Sequence, residues 1–210
     1  MPITVDDVGP VIPVVVIDEA SRAGDVALAL ADGGIYFAEV TLRTDAGLGA
    51  IAAIADLNIP GFTVGAGTVL SRDDLERSLA AGAQFIVSPG FDDDLVSRAL
   101  DAGVAVLPGV ATATEVQRAI AAGVDTVKFF PADRLGGLPT IAALAAPFRH
   151  TRFVPSGGVT AENALEYLGH AAVPAVSGSW MVTREMISGG DFAGITRVSQ
   201  EFTSRLGTRP

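Results

Sequence analysis

Short runs of β-branched and apolar residues alternate along this chain with Ala- and Leu-rich stretches of helical period. Repeated switching between those two periods is the signature of βα units and a parallel sheet. The pattern predicts strands near Ile12–Ile17, Tyr36–Leu42, Thr63–Val69, Phe85–Ser88, Val104–Leu107, Thr126–Phe130, Arg152–Pro155 and Val173–Ser177. Between them it predicts helices near Glu19–Ala31, Ala46–Ala55, Arg72–Ala80, Asp92–Leu100, Thr114–Ala121, Leu138–Ala145 and Ala161–Leu168. A final helical stretch, in one or two pieces, runs from about Arg184 to Leu206.

The predicted helix ends repeat. Ala31-Asp-Gly-Gly34, Ala80-Ala-Gly82, Asp101-Ala-Gly103 and Ala121-Ala-Gly123 each stop a helix with glycine and lead into an apolar strand. The last three glycines are 21 and 20 residues apart, the length of one compact βα unit. Eight such units in one short domain point to a (β/α)₈ TIM barrel spanning 1–210. Residues 1–10 would be an N-terminal extension or short helix, and 184–206 the C-terminal helix. An open doubly wound sheet is the alternative. Against it, Val16-Ile-Asp-Glu-Ala20 after the first strand holds no Gly-x-Gly-x-x-Gly fingerprint.

The unusual residues gather at the C-terminal ends of the predicted strands. They are Arg43-Thr44, Gly67-Thr68, Ser88-Pro-Gly90, Pro108-Gly109, Lys128 with Pro131, Ser156-Gly-Gly158 and Ser177-Gly-Ser179. In a barrel all these ends converge on the face where the active site is built.

Composition narrows the chemistry. A hydrophobic content of 49% is ample for a sizeable core. The net charge of −10 argues against nucleic-acid and anionic-membrane partners, both of which select basic surfaces. There is no cysteine, which excludes disulfides, thiolate ligands and cysteine nucleophiles. The two histidines, His150 and His170, stand in no ligand-spaced motif, so no metal site is expected. No apolar run reaches membrane-spanning length, and Met1-Pro-Ile-Thr-Val-Asp-Asp7 lacks the basic and apolar regions of a signal peptide. A soluble cytoplasmic protein is the expectation.

Lys128 is the only lysine among the 14 Lys+Arg. It sits in an apolar, β-prone run, Val124 to Phe130. Amines in such surroundings give up a proton more readily, and a neutral amine attacks carbonyl carbon. The bland alternative is a strand-end lysine that snorkels to water. On the second strand, Phe37-Ala-Glu-Val-Thr-Leu-Arg43, alternation puts Glu39, Thr41 and Arg43 on one face, with Val40 and Leu42 toward the covering helices. Glu39 would then need a cation, from Arg43 or across the barrel from Lys128. An ion pair that only holds the barrel end together is the competing reading.

The third strand, Val64-Gly-Ala-Gly-Thr-Val69, permits close backbone approach and offers the Thr68 hydroxyl to a polar ligand. The loops after strands seven and eight, Ser156-Gly-Gly158 and Ser177-Gly-Ser179, are expected to bind an anion through bare amides and the hydroxyls of Ser156, Ser177 and Ser179. Neutral donors would reconcile an acidic protein with an anionic substrate. Two tight turns are the simpler reading.

Glu39-Val-Thr-Leu-Arg-Thr44, Gly65-Ala-Gly-Thr-Val69, Ser88-Pro-Gly90, Lys128-Phe-Phe-Pro-Ala132, Ser156-Gly-Gly158 and Gly178-Ser-Trp180 stand in the order and spacing of one family. From about Ile12 to Asp191 the chain resembles the bacterial 2-keto-3-deoxy-6-phosphogluconate (KDPG) aldolases and the related 4-hydroxy-2-oxoglutarate (KHG) aldolases. The resemblance implies a class I aldolase on a (β/α)₈ barrel, generally a homotrimer, needing no metal or other cofactor. It implies Lys128 as the Schiff-base lysine and Glu39 as the general acid/base. Arg43, Thr68 and Pro89 resemble pyruvate-pocket residues, and Phe130 the aromatic wall beside the imine. Gly157, Gly158 and Ser179 resemble the phosphate site.

Two departures fall at that distal end: Ser156 where threonine is common, and Ser177-Gly178 where two glycines are common. A sister group acting on the galactonate analogue typically lacks the arginine at the position of Arg43. The implied substrate is a phosphorylated 2-keto acid, split to pyruvate and glyceraldehyde 3-phosphate. A phosphosugar isomerase or epimerase using Glu39 as carbon base, and a barrel that only binds a metabolite, are the competing readings.

Overall fold

The computed structural model describes residues 9–206. The expected extension or short helix over 1–10 therefore lies outside the described residues, save for Gly9 and Pro10. The strands are β1 (Val11–Val15), β2 (Phe37–Thr41), β3 (Thr63–Gly67), β4 (Phe85–Val87), β5 (Ala105–Leu107), β6 (Gly109–Val110), β7 (Thr126–Phe129), β8 (Arg152–Pro155) and β9 (Val176–Gly178). The helices are α1 (Ala23–Asp32), α2 (Gly47–Asp56), α3 (Arg72–Ala80), α4 (Asp93–Asp101), α5 (Ala113–Ala121), α6 (Gly137–Ala145), α7 (Ala164–Leu168), α8 (Arg184–Gly189) and α9 (Phe192–Leu206).

The α/β alternation and the parallel pairing both match the expectation. Pairing falls into two sheets, one ordered β5-β4-β3-β2-β1-β9 and the other β6-β7-β8. Every ladder is parallel; Val14 is level with Glu39, Glu39 with Gly65, and Gly109 with Lys128. The expected fifth strand is β5, and a further short strand, β6, follows Pro108, which carries no N–H to continue a ladder. The Pro108 carbonyl still accepts from the Lys128 amide at 2.9 Å, so the chain at the break is tied to β7.

Burial separates two cores. Outward-facing residues such as Val15, Val40, Ala66, Val127 and Phe153 pack under the helices in the larger one. A smaller cluster joins residues of both sheets on their other face: Ile12, Phe37, Phe85, Val87, Leu107 and Val154, with Ala175 beside them. Phe37 and Phe85 meet there with ring centroids 5.2 Å apart. Glycine explains the room for this contact, since a Cβ on Gly65 would lie 2.4 Å from the Phe85 ring.

Helix ends follow local chemistry. Ser71, Asp92 and Thr112 cap α3, α4 and α5, and Thr112 forms a reciprocal capping box with Glu115. Gly82, Gly103 and Gly123 follow three helices with φ of +94°, +69° and +82°, as the repeated Ala-Gly stops suggested. Two helices depart from expectation, and the last takes one of its two expected forms. The first begins as a 3₁₀ turn, Ala20–Arg22, where Glu19 provides no side-chain cap. α7 is short because Thr160 and Asn163 bond each other's backbone N–H and hold that stretch in a turn. The last helical stretch is in two pieces, divided at Gly190, whose φ is +71°; Asp191 then accepts from the Gly194 amide.

Candidate active site

Alternation along β2 delivers its side chains as the pattern predicted. Val40 goes to the helix-covered core, while Glu39 and Thr41 turn to the opposite face, both fully buried. Glu39 lies directly above the small apolar cluster, so its charge has to be compensated by protein groups. Lys128 supplies the compensation: its Nζ donates to Glu39 Oε1 at 3.1 Å, and only 4% of the lysine is exposed. It does not snorkel to water. An amine and a carboxylate in direct contact can exchange a proton, and an amine relieved of its proton is a nucleophile.

The other carboxylate oxygen is held from β9, where Ser177 Oγ donates to Glu39 Oε2 at 3.3 Å. Ser156 Oγ stands behind it, 3.5 Å from Ser177 Oγ. Both serines are buried, so these hydroxyls face inward, whereas Ser179 is exposed. Ser177 lies two residues beyond Ala175 of the inner cluster, a parity that marks its inward direction in the sequence itself.

Gly67 completes the seat. A Cβ there would stand 2.3 Å from Glu39 Oε1 and 2.5 Å from its Cγ. What the glycine admits is therefore the carboxylate of the neighbouring strand. Gly67→Ala is expected to push Glu39 off Lys128, at a stability cost of about 1–3 kcal/mol from overpacking. Denaturant unfolding, with titration of the Lys128–Glu39 pair followed by NMR, checks this; unchanged stability and pairing would refute it.

Above the pair, Arg43 Nε donates to Thr68 Oγ1 at 3.3 Å. Thr68 has φ +59°, a left-handed conformation that is unfavourable for a β-branched residue. Strain of this kind gathers at functional sites, and here it sets the hydroxyl under the guanidinium. Arg43 and Ser179 share a cavity of about 460 Å³ with Val14, Thr44 and Arg184. Arg184 hydrogen-bonds Asp18 at the rim and holds that carboxyl below the usual carboxylate range.

Phe130 stands over the amine, its ring centroid 5.6 Å from Lys128 Nζ. Its other neighbour is the loop after β8. Gly157 and Gly158 take φ of +89° and +82°; a Cβ on the first would lie 3.2 Å from the Phe130 ring and on the second 2.2 Å from Asp133 Cβ. Gly178 is pressed against the Trp180 ring, at 2.3 Å from the position of an added Cβ. Pro89 is partly buried, with its carbonyl against Gly109. The structure thus brings Lys128, Glu39, Ser177 and Ser156 into one buried cluster, with Phe130 against the lysine. Arg43 and Thr68 form a second pair, and Ser179 joins Arg43 in the cavity.

A family model for KDPG and KHG aldolases matches residues 5–198. The chain belongs to the KDPG and KHG aldolase family. A 2-dehydro-3-deoxy-phosphogluconate aldolase of Treponema pallidum is 46% identical over 197 residues, covering 94% of this chain and 93% of that protein. A solved KDPG aldolase of Zymomonas mobilis, with 3-phosphoglycerate, superposes with a TM-score of 0.87 at 42% identity, covering 94% of this chain and 92% of the other. A KDPG aldolase of Legionella pneumophila, solved with pyruvate captured as a covalent carbinolamine intermediate, gives a TM-score of 0.91 at 36% identity and covers 94% and 96% of the two chains.

Proposed function

We infer that this chain is a carbon–carbon lyase, a class I aldolase that cleaves KDPG to pyruvate and glyceraldehyde 3-phosphate, with KHG, giving pyruvate and glyoxylate, as a second substrate. The observation that carries the reading is the buried contact of 3.1 Å between Lys128 Nζ and Glu39 Oε1. The isomerase reading is not favoured, because an electrostatic clamp needs no amine capable of losing its proton.

The chemistry follows from the pair. Glu39 takes a proton from Lys128, and the free amine adds to the keto carbon of the substrate. Glu39 returns that proton to the hydroxyl that leaves as water, giving a protonated imine, which draws electrons from the carbon–carbon bond one removed from the imine carbon. Glu39, directly or through one water, removes the proton of the distal hydroxyl as that bond breaks and the aldehyde leaves. The remaining enamine takes a proton back from Glu39, and water releases pyruvate and restores the amine. All electrons stay within the substrate and Lys128, so the sequence requires neither a metal nor a redox cofactor.

The supporting groups have matching roles. Arg43, placed by Thr68, would grip the substrate carboxylate, with Pro89 lining the same pocket. Phe130 would wall the imine and keep bulk water from it. The Gly157-Gly158 loop and Ser179, with Gly178 close to the Trp180 ring, would receive the phosphate by backbone and hydroxyl donors. Ser156 and Ser177 contribute less there, since their hydroxyls face Glu39.

The same reading includes a closed eight-stranded barrel forming one domain. Two links between the sheets support closure: the parallel bridge from Ser156 to Ser177, and the run from β5 through Pro108 into β6. A soluble cytoplasmic homotrimer is part of the proposal; among the described residues no helix is long and apolar enough to cross a membrane.

Borohydride reduction in the presence of pyruvate tests the reading. A stable adduct of one pyruvate on Lys128, located by peptide mass, is expected. Its absence, with no cleavage of KDPG or KHG, would overturn the assignment. Rates with those two substrates measured side by side decide the preferred aldehyde.

A further inference from the structure

We propose that Ser177 is a positioning residue for the Glu39 carboxylate, and that the Ser156–Ser177 hydroxyl pair keeps that carboxylate aimed while Lys128 is occupied by substrate. The proposal rests on the aldolase reading above. Its basis is the division of Glu39 between two strands. Oε1 accepts from Lys128 at 3.1 Å and Oε2 from Ser177 at 3.3 Å, and Glu39 has no exposed surface. β1 lies between β2 and β9 and offers only Val14 level with Glu39. The hydroxyl therefore reaches Oε2 across a strand that has no donor of its own there.

The two anchors do not last equally through the reaction. Once Nζ is an imine it keeps one N–H of the three, and its direction is set by the substrate. Glu39 must move protons during that interval. A hydroxyl has a single hydrogen to donate, and Ser177 is in addition within 3.5 Å of Ser156 Oγ, which can donate to it. That arrangement commits the Ser177 hydrogen to Oε2. Gly67, with no side chain, leaves the opposite side of the carboxylate without a donor, so Ser177 is the anchor that persists.

Ser177→Ala and Ser177→Gly separate this role from a structural one. Alanine removes the donor and keeps the Cβ in place. Glycine removes the donor and the Cβ with it, which leaves more room for a water to bridge to Oε2. The expected result is that both variants form the pyruvate adduct on Lys128. Ser177→Ala should lose on the order of tenfold in kcat with KM little changed, the scale of one hydrogen bond to a charged group. Exchange of the pyruvate methyl hydrogens in D₂O should slow in parallel, because it reads enamine protonation alone. Ser177→Gly should lose less. A merely structural serine predicts the reverse ranking, since glycine weakens a strand more than alanine does.

Wild-type kcat and exchange in Ser177→Ala, or a glycine variant worse than alanine in step with a lowered Tm, would overturn the proposal. An unfolded alanine variant leaves the glycine variant to decide: it must be folded and keep more than about a tenth of wild-type exchange, the limit set by one charged hydrogen bond. Failure of the wild-type protein itself to form an adduct would instead sink the aldolase reading, and this inference with it.

Discussion

Lys128→Arg is expected to lose turnover by on the order of 10⁴-fold or more, the scale seen when a covalent nucleophile is removed, and to lose the borohydride-trapped pyruvate adduct altogether. Arginine is the informative replacement because it preserves the positive charge. Glu39 is wholly buried, and deleting its partner outright would leave an uncompensated carboxylate, costing about 3–5 kcal/mol. Loss of activity in a neutral variant would therefore be ambiguous between chemistry and collapse. A guanidinium can still pair with Glu39 Oε1, yet it stays protonated and cannot add to a ketone. The expected signature is a near-native Tm together with no cleavage of KDPG or KHG and no adduct. A folded arginine variant that retained activity would show that no imine forms at this position.

Much of this site could be read from the chain because alternation along a strand is a strict rule. Once Tyr36–Leu42 is a strand, Glu39 and Thr41 must share a face opposite Val40, and the buried pattern agrees. The cation for Glu39 was left open between Arg43 and Lys128, and the structure pairs it with Lys128. Other features were hidden for physical reasons. Thr68 adopts φ +59° against its own preference, and only tertiary contacts can impose that. The short strand β6 beyond Pro108 was not foreseen, because it rests on pairing with β7 and not on local pattern. The glycines of the third strand were legible as places of close approach, but not what approaches: the Phe85 ring at Gly65 and Glu39 at Gly67. Ser156 and Ser177 were read as donors at the mouth, because serine beside glycine at a strand end suggests an anion site. Their inward direction follows from parity with the strand residues before them, which outweighs loop composition.

Glu39→Gln tests the proton-transfer half of the mechanism with the shape of the site kept. Glutamine can still accept from Lys128 through its carbonyl oxygen, and the change removes one charge from a buried pair. Loss of a positioned general acid/base lowers rates by about 10²–10⁴-fold, so kcat for KDPG cleavage should fall within that range. Pyruvate should still be trapped on Lys128, because the amine can release its proton to water during the slower approach of substrate. Exchange of the pyruvate methyl hydrogens should fall with kcat, since both need a group that returns a proton to the enamine. The two readouts therefore divide the reaction at the imine. Retained adduct with lost exchange makes Glu39 essential after imine formation and replaceable by water in activating Lys128. Loss of the adduct itself would make the carboxylate indispensable already in the activation of Lys128, and would make the contact at Oε1 more important to the chemistry than the aim of Oε2. Unimpaired exchange and turnover would remove Glu39 from the proton path and leave it as the counter-charge that lets a lysine be buried.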